Sequence, residues 1–463
     1  MTTHPEQPKP RYHLAYVFER FPTYTQTFCV REIVALRESG VRPLVFSIRD
    51  TGDEGCCDLG SSCREFVNVL PPEDVLIGTI KRWKDERRLP QEVVLTLRYW
   101  GGRPDKLRVY EAAYIGLAMR EAGVGHAHCH FAGIAARTCW WIRQFYGITF
   151  SFTGHANDLF CDENPAGGPV DLRALFDGAA AAVTVSDFTA RWLREKFPAY
   201  REKVVRVYNG LDLAPFREIP RLPIAPCEGQ LPLVLSVGRL IEKKGYGILI
   251  DACAILRREG VPFRCTIVGE GPLDAQLRAQ VAALDLGNHV HLAGAMPFAD
   301  ILALLGQTSV FALACATEPD GGMDNLPTVI MEAMAAGRPV VSTRLAGVPE
   351  MVVDSQTGLL LDEGDAPGLA RAIRQLLADP ARAAAMGEAG MRRARQLFDR
   401  NQTIRSLVSA IFSAALIPAD PSLRQSHPDL APALKHRWWQ RTLDSLTSRR
   451  PRRDAPIIPP GAR

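Results

Sequence analysis

The sequence lacks the long apolar runs that mark membrane-spanning or exported chains. Its N-terminal segment has no apolar stretch of the kind found in secretory leaders, and no run reaches the roughly 18 uninterrupted apolar residues of a membrane span. We therefore expect a cytoplasmic protein. The sequence also lacks a large excess of one charge sign, because the formal net charge is only +4. Without a strongly basic body, we expect no nucleic-acid partner.

Paired cysteines and dinucleotide-binding glycines are absent too. The 11 cysteines include no C-x-x-C unit, and the tight group of Cys56, Cys57 and Cys63 fits no common zinc spacing, so we expect reduced thiols. Neither half has G-x-G-x-x-G after a first strand, which argues against a dehydrogenase. We predict that the protein carries no cofactor.

Three alternating histidines raise the question of a metal site. His126, His128 and His130 in HAHCHFAG would line one face of a strand, where they could act as ligands. No carboxylate lies near them in the sequence. We therefore interpret them as buried strand histidines with backbone partners, and we predict no bound metal.

Apolar β-rich runs alternate with amphipathic helical stretches, and this pattern occurs twice. The first series includes YHLAYVF and PLVFSI, and the second begins with LPLVLSVG and RCTIVG. Such βαβ alternation is typical of doubly wound parallel sheets, and 463 residues exceed what one core usually organises. We predict the α/β fold class, with Rossmann-like domains at 11–213 and 231–395, a linker at 214–230, a helix at 396–417 that packs back toward the first domain, and a Pro- and Arg-rich tail at 418–463.

The tail carries all of the net positive charge. It has nine basic and four acidic residues, a net charge of +5, which leaves −1 for the rest of the chain. Its segment LKHRWWQRTLDSL has the pattern of an amphipathic helix, with Trp438 and Trp439 beside basic side chains. We expect it to bind an anionic surface at the inner face of the cell membrane. The alternative is a disordered, solubilising tail.

Two glycine-containing turns follow strands in the second half. In SVGRLIEKKG, Gly238 ends a strand, and Arg239 and Lys244 follow at the edge where open α/β sheets bind ligands. Two cations there suit a diphosphate, and the alternative is a solvated basic loop. In IVGEGPL, Gly269 and Gly271 would permit the close approach of a nucleotide base.

Two carboxylates flank the start of a short apolar helix. In DNLPTVIMEAMAAGRP, Asp324 precedes the helix, while Glu332 lies among apolar residues near its middle. Burying an unpaired carboxylate costs on the order of several kcal/mol, so Glu332 needs a partner or a place in a cleft. Carboxylates at this spacing suit two parts of one polyhydroxylated ligand. In the first half, His155 follows the strand of SFTGHAND, with Asp158 three residues later.

These motifs resemble those of glycosyltransferase family 4, which contains retaining enzymes of the GT-B fold. SVGRLIEKKG, IVGEGPL, DNLPTVIMEAMAAGRPVVST, AGVPEMV and TGLLL are similar to the donor-binding half of the family. FERFPTYTQTFCVREIVALRESG, HCHFAG, SFTGHAND and VTVSDFTARWLREKFP resemble the branch that builds exopolysaccharides such as colanic acid. The resemblance spans about Tyr12 to Phe412 and implies two Rossmann-like domains that face a central cleft.

The resemblance also implies roles for individual residues. Arg239 and Lys244 match the pair that neutralises the donor diphosphate. Glu332 matches the glutamate that holds the ribose hydroxyls, so we expect it to have no protein partner. Asp324 replaces a family glutamate with a shorter carboxylate, and His155 matches the histidine near the reacting sugar. The predicted site comprises catalytic His155, Asp324, Arg239 and Lys244, donor-binding Gly238, Gly269, Gly271, Asn325, Leu326 and Glu332, and cleft residues Thr25, Gln26, His130 and Asp158.

The resemblance implies a retaining glycosyltransferase. It would move a sugar from a UDP- or GDP-sugar to a glycan or lipid-linked acceptor in the biosynthesis of exopolysaccharide or a related cell-surface polysaccharide. A GT-B nucleotide-sugar epimerase is one alternative, and a non-catalytic GT-B scaffold is another. The presence of both cations, both carboxylates and His155 argues against the scaffold.

Overall fold

The computed structural model describes residues 14–23, 26–52, 63–100, 105–155, 157–160, 170–219 and 230–415. The predicted tail, most of the predicted linker and Thr25 lie outside this part of the chain. Within it, two parallel sheets are each packed against helices. No helix of the described ranges is long and apolar enough to cross a membrane.

The first sheet has seven strands in the order β3-β2-β1-β4-β5-β6-β7, all parallel. Strands β1 to β3 extend the sheet in one direction, and strands β4 to β7 extend it in the other. The carboxyl ends of β1 and β4 therefore meet at the point where the winding reverses, which is where open α/β sheets bind ligands. The strands are β1 (Leu14–Arg20), β2 (Leu44–Arg49), β3 (Val67–Val69), β4 (His126–His130), β5 (Thr149–Gly154), β6 (Ala181–Thr184) and β7 (Val204–Arg206).

The second sheet has six parallel strands in the order β10-β9-β8-β11-β12-β13. Here the winding reverses between β8 and β11, so the loops that follow these two strands lie side by side. The strands are β8 (Leu233–Val237), β9 (Arg264–Val268), β10 (Val290–Leu292), β11 (Thr308–Leu313), β12 (Val340–Thr343) and β13 (Gly358–Leu361).

Helices connect the strands and cover the sheets. In the first domain they are α1 (Thr27–Glu38), α2 (Glu73–Asp85), α3 (Gln91–Trp100), α4 (Lys106–Glu121), α5 (Ile134–Tyr146), α6 (Asn157–Phe160), α7 (Leu172–Gly178), α8 (Asp187–Lys196) and α9 (Ala214–Arg217). In the second they are α10 (Tyr246–Arg258), α11 (Asp274–Ala283), α12 (Phe298–Gln307), α13 (Thr328–Ala335), α14 (Val348–Met351), α15 (Ala366–Ala378) and α16 (Pro380–Leu397), and α17 (Arg400–Ala415) follows. Short 3-10 turns occupy Pro198–Lys203 and Glu242–Lys244.

Helix coverage explains why the central strands are buried along their whole length. All residues of β8 and β11 are buried, as expected for strands covered on both faces. β4 is equally buried but carries three histidines. Because buried polar groups need hydrogen-bond partners, β4 must find them within the first domain.

The last helix returns to the first domain. Ile404, Leu407 and Ile411 of α17 share an apolar cluster with Val30 and Ile33 of α1. The chain therefore crosses between the domains twice, and the second crossing is tied to α1.

Candidate active site between the two domains

Lys244 and Asp324 form an ion pair on the side of the second domain. Lys244 ends the 3-10 turn after β8, and its Nζ lies 2.5 Å from Oδ2 of Asp324 in the loop after β11. The neighbouring Lys243 Nζ is 4.0 Å from the other carboxylate oxygen. Burial lowers the pKa of Lys244, but the Asp324 carboxylate outweighs burial and raises that pKa above its ordinary value. The lysine therefore stays charged in a largely enclosed position.

Arg239 lies on the same loop and is exposed. Among the residues that the structure describes, Arg239 has no ion-pair partner. Its positive charge lies close enough to Lys244 to lower the pKa of that lysine. The loop after β8 thus presents one exposed guanidinium beside one paired ammonium.

The glycines of the two turns pack against each other. Gly269 has a φ of +143°, and a Cβ there would lie 1.9 Å from the carbonyl oxygen of Gly238. A Cβ on Gly271 would lie 2.5 Å from the carbonyl oxygen of Leu240. Contact between the loops after β8 and β9 therefore requires these glycines, independently of any ligand.

Asn325 joins the second domain to the first. Its Nδ2 donates to the backbone oxygen of His155 at 2.8 Å, and its Oδ1 accepts from Ser186 Oγ at 2.5 Å. Asn325 is only 3% exposed, and the next residue, Leu326, is buried in the core of the second domain. These contacts give Asn325 an interdomain structural role at the predicted donor site.

Glu332 has a protein partner. Arg31 of α1 donates from Nη2 to Glu332 Oε1 at 2.7 Å, and both side chains are about nine-tenths buried. The expectation that Glu332 lacks a partner is therefore wrong. The two residues are 301 positions apart, so neither sequence motif by itself predicts the pair. Only Oε1 is engaged, and Oε2 has no hydrogen-bond partner among the described residues.

His155 belongs to a chain of hydrogen-bonded side chains. Its Nε2 lies 2.9 Å from Nδ1 of His130, whose Nε2 lies 3.0 Å from Oε1 of Glu32. The same carboxylate oxygen accepts from the hydroxyl of Tyr16 at 2.7 Å. The chain brings together α1, β1 and the carboxyl ends of β4 and β5. It lies at the point of the first sheet where the winding reverses.

The surroundings of His155 and His130 favour different protonation states. Burial and the neighbouring His130 hold the pKa of His155 well below its ordinary value. Burial also lowers the pKa of His130, but the neighbouring Cys29 sulfur and Glu32 carboxylate outweigh burial and raise that pKa well above its usual range. Burial raises the pKa of the Cys29 thiol itself, so the thiol stays neutral and Glu32 is the anion that matters.

The other two strand histidines bond to hydroxyls of β5. His126 lies 2.8 Å from both Thr149 Oγ1 and Ser151 Oγ, while His128 lies 2.7 Å from Ser151 Oγ and 2.9 Å from Thr153 Oγ1. Their partners are thus side chains, and the expected backbone partners are wrong. Burial lowers the pKa of His126 to about 3 and holds that of His128 well below its ordinary value.

A carboxylate does lie close to these histidines in space. Ligand atoms of Glu32, His128 and His130 are all within 4.8 Å of one another. Each ring nitrogen of both histidines already has a hydrogen-bonding neighbour. The protein's own polar atoms therefore account for the cluster, and the absence of a metal stays a prediction.

Two predicted cleft residues support the backbone. Asp158 accepts from the backbone N–H of His155 and of Ala132, both at 3.0 Å, and so fixes the loop that carries His155. Gln26 precedes the first turn of α1, and its backbone N–H donates to Thr23. Asp158 therefore positions His155, and Gln26 lies at the start of α1.

Sequence reasoning missed the partners of two predicted site residues and a further contact between the domains. Arg31 and Glu32 are adjacent on α1 and serve Glu332 and His130, respectively. Glu350 of α14 accepts from two backbone N–H groups at the start of α8, at 2.7 and 2.6 Å. The adjacent opposite charges on α1 were a signal, but only the fold shows their partners.

Comparisons with known proteins agree with this architecture. Residues 27–215 match the family described as Glycosyltransferase Family 4, and residues 225–393 match Glycosyl transferases group 1. The Anabaena protein Alr3699/HepE, solved in complex with UDP, superposes with a TM-score of 0.63 at 18% identity over 87% of this chain and 100% of that chain.

Two curated relatives are similar over part of the chain. The colanic acid biosynthesis glycosyltransferase WcaL of Escherichia coli is 37% identical over 202 residues, which are 43% of this chain and 48% of the relative. The amylovoran biosynthesis glycosyltransferase AmsK of Erwinia amylovora is 44% identical over 143 residues, which are 31% of this chain and 35% of the relative. The matched segments thus span less than half of either relative. From the two family matches, residues 27–215 form a glycosyltransferase family 4 domain and residues 225–393 form a glycosyl transferases group 1 domain, and the two are arranged in the GT-B fold.

Proposed function

We propose that this chain is a retaining glycosyltransferase that moves a sugar from a nucleotide-diphosphate donor to a glycan or lipid-linked acceptor. The observation that carries the proposal is the convergence of charged and polar side chains where the domains meet. Arg239 and the Lys244–Asp324 pair come from one domain, and His155 comes from the other. A hydrogen bond from Asn325 to the backbone of His155 holds the two sides together.

The diphosphate would bind beside Arg239 and Lys244. An ammonium has three N–H donors, so Lys244 can keep Asp324 and still donate to phosphate oxygens. Arg239 is exposed on the same loop and adds a second positive charge. As the anomeric bond breaks, negative charge develops on the leaving phosphate. Cations fixed beforehand stabilise that charge without reorganising.

The nucleotide ribose would bind to Glu332. Because Arg31 occupies Oε1, the second oxygen remains for a ribose hydroxyl. Binding then does not require the ion pair to break. Asp324 would accept from hydroxyls of the transferred sugar while it orients Lys244.

The state of the carboxylates at the site supports a mechanism without a protein nucleophile. Asp324 is paired with Lys244, Glu332 with Arg31, and Glu32 with His130. A paired carboxylate is a poor nucleophile, because its partner already stabilises the negative charge. We infer that the leaving phosphate itself takes the acceptor proton on the same face of the sugar, and that the cations of the site replace a metal.

The acceptor and the cellular location are inferred from the relatives and from the tail. The names of both curated relatives concern exopolysaccharides, which supports a role in building exopolysaccharide or a related surface polysaccharide. The UDP complex of the Anabaena structure supports a UDP-sugar donor, and a GDP-sugar suits the same charges. We propose that residues 418–463 hold the cytoplasmic enzyme at the inner membrane surface, beside a lipid-linked acceptor.

A donor screen tests the proposal. Purified protein is heated with a panel of UDP- and GDP-sugars, since a ligand at about 100 times its Kd stabilises a protein by roughly 2.7 kcal/mol. The stabilising donors are then assayed for release of nucleoside diphosphate. We expect one donor to stabilise the wild type and to be turned over, and Lys244→Ala to lose turnover. No stabilisation by any nucleotide sugar would contradict the proposal.

A further inference from the structure

We propose that Glu32 and His130 are positioning residues that fix the tautomer of His155 and leave its one ring proton on Nδ1. His155 would then present an N–H donor to the reaction site. The inference rests on the proposed function, in which His155 lies beside the transferred sugar.

The distances allow one proton between His155 and His130 and one between His130 and Glu32. His155 Nε2 lies 2.9 Å from His130 Nδ1, and His130 Nε2 lies 3.0 Å from Glu32 Oε1. Both are hydrogen-bond distances, so one proton lies between the rings and another lies between His130 and the carboxylate. With Glu32 ionised, two arrangements satisfy this count. They differ in which ring owns the proton between the two histidines.

The surroundings assign that proton to His130. Its ring contacts a carboxylate, which favours the doubly protonated, charged form. Among the described residues, no carboxylate is hydrogen-bonded to the ring of His155, which packs between the rings of Phe28 and Phe131, with centroids 4.5 and 4.7 Å away. Burial there disfavours a charge on His155. His130 therefore donates from Nδ1, and His155 accepts at Nε2 as a neutral ring.

Glu32 is the one anion beside His130 in the described structure. The other titratable neighbours are Tyr16, Cys29, His128 and His155. Burial raises the pKa of Tyr16 and Cys29 and lowers that of both histidines, so all four stay neutral near pH 7. The charge on His130 therefore depends on Glu32.

The remaining ring nitrogen of His155 is free for a ligand. Nδ1 has no hydrogen-bond partner among the described residues, and the residue is 8% exposed. Its backbone is held on both sides, because its N–H donates to Asp158 and its carbonyl accepts from Asn325. A neutral ring with its proton on Nδ1 can donate to an oxygen of the donor substrate. It cannot take a proton at Nε2, since that atom already accepts from His130.

Nitrogen-15 NMR of the ligand-free, full-length protein tests the tautomer directly. Histidine is labelled on both ring nitrogens, and His130→Gln and His155→Gln assign the two rings. At pH 7.5 we expect His130 to be protonated on both nitrogens and His155 on Nδ1 alone. Glu32→Gln keeps the shape of the side chain but removes its charge. His130 should then become neutral, with its proton facing Gln, and the proton of His155 should move to Nε2.

Glu38→Gln is the matched control. Glu38 lies on the same helix, pairs with Arg400 and is half exposed, so its loss removes the same charge without touching His130. Both histidine spectra should match the wild type in this variant. A wild-type His155 that carries its proton on Nε2 would overturn the inference. So would a Glu32→Gln protein in which both rings keep their wild-type protonation.

The pH dependence of turnover tests the consequence for the reaction. Glu32→Gln should lower kcat at pH 7.5 about tenfold or more while leaving the donor KM little changed, because an aligned N–H donor is lost in the transition state. Activity should recover as pH falls and His130 regains its proton, and Glu32→Asp should rescue part of kcat. A loss that is equal at every pH would indicate a merely structural role. A wild type that turns over no donor would contradict the proposed function, while the NMR result would still decide the tautomer.

Discussion

Replacing Glu332 with Gln should lower both the stability of the empty protein and its affinity for a nucleoside diphosphate. Glu332 Oε1 accepts from Arg31 at 2.7 Å, with only 9% and 10% of the two side chains exposed. Removing one partner of a buried ion pair altogether costs about 3–5 kcal/mol. Gln retains an acceptor and the pair lies between domains, so we expect a loss of about 1–2 kcal/mol in the free energy of unfolding.

The effect on binding has a different origin. If Glu332 Oε2 accepts from a ribose hydroxyl, the neutral amide weakens a charge-assisted hydrogen bond by about half, or about 1 kcal/mol, which is roughly a fivefold increase in Kd. Arg31→Gln separates the two roles. It should destabilise the empty protein to a similar degree, but it should not weaken nucleotide binding, because Glu332 keeps its charge and gains a free oxygen.

Urea denaturation and calorimetric titration with UDP and GDP measure the two effects. Arg344→Gln is the control, because Arg344 forms an exposed ion pair with Asp354 and should change stability by less than about 0.5 kcal/mol. Unchanged stability in Glu332→Gln would refute the role of the ion pair. An equal loss of nucleotide affinity in Arg31→Gln would show that Glu332 does not contact ribose directly.

Further predictions concern the cations, the second carboxylate, a buried acid and the tail. Arg239→Ala and Lys244→Ala should each lower kcat by about 100-fold or more without unfolding the protein, as shown by donor turnover alongside circular dichroism. Asp324→Asn should impair transfer while leaving nucleoside diphosphate affinity nearly unchanged in calorimetry, because the carboxylate serves the sugar and Lys244 keeps its charge. Burial raises the pKa of Glu111 to about 7 from 4.5, so the folded state binds this proton more tightly than the unfolded state and loses stability as pH rises through that range. The urea midpoint of Glu111→Gln should therefore fall less than that of the wild type between pH 5 and pH 8. Truncation after residue 417 should reduce co-sedimentation with anionic liposomes, and unchanged co-sedimentation would reject membrane binding by the tail.

The sequence predicts the parts of the site that follow strands directly. Arg239 and Lys244 come after β8, and His155 comes after β5, so strand periodicity alone places them at the ligand-binding edges of their sheets. The two-domain parallel architecture follows from the same periodicity and is confirmed by the sheets.

The partners of these residues could not be predicted in the same way. Arg31 reaches Glu332 across 301 positions, and Glu32 reaches His130 across 98. Both contacts depend on how α1 sits between the first sheet and the second domain, which no local pattern encodes. The histidines of β4 show the same limit. Their alternation shows that they share a face, but only the register with β5 places Thr149, Ser151 and Thr153 opposite them.

The presence of Gly269 and Gly271 has two possible structural reasons. Gly269 and Gly271 fit the expectation of a backbone open to a nucleotide. The structure also requires them for contact between the two loops, since a Cβ at either position would overlap backbone atoms. A sequence pattern cannot separate these causes, because both demand the same absence of a side chain.

The most direct test of the account follows the sugar itself. A donor chosen by the thermal screen carries a labelled sugar and is incubated with a membrane lipid extract and either the wild type or Lys244→Ala. The account predicts that the wild type transfers label into a lipid-linked or glycan product with the anomeric configuration of the donor, and that the variant forms little product. Label that remains on the donor with the wild type, or transfer that is equally fast with the variant, would contradict the central claim.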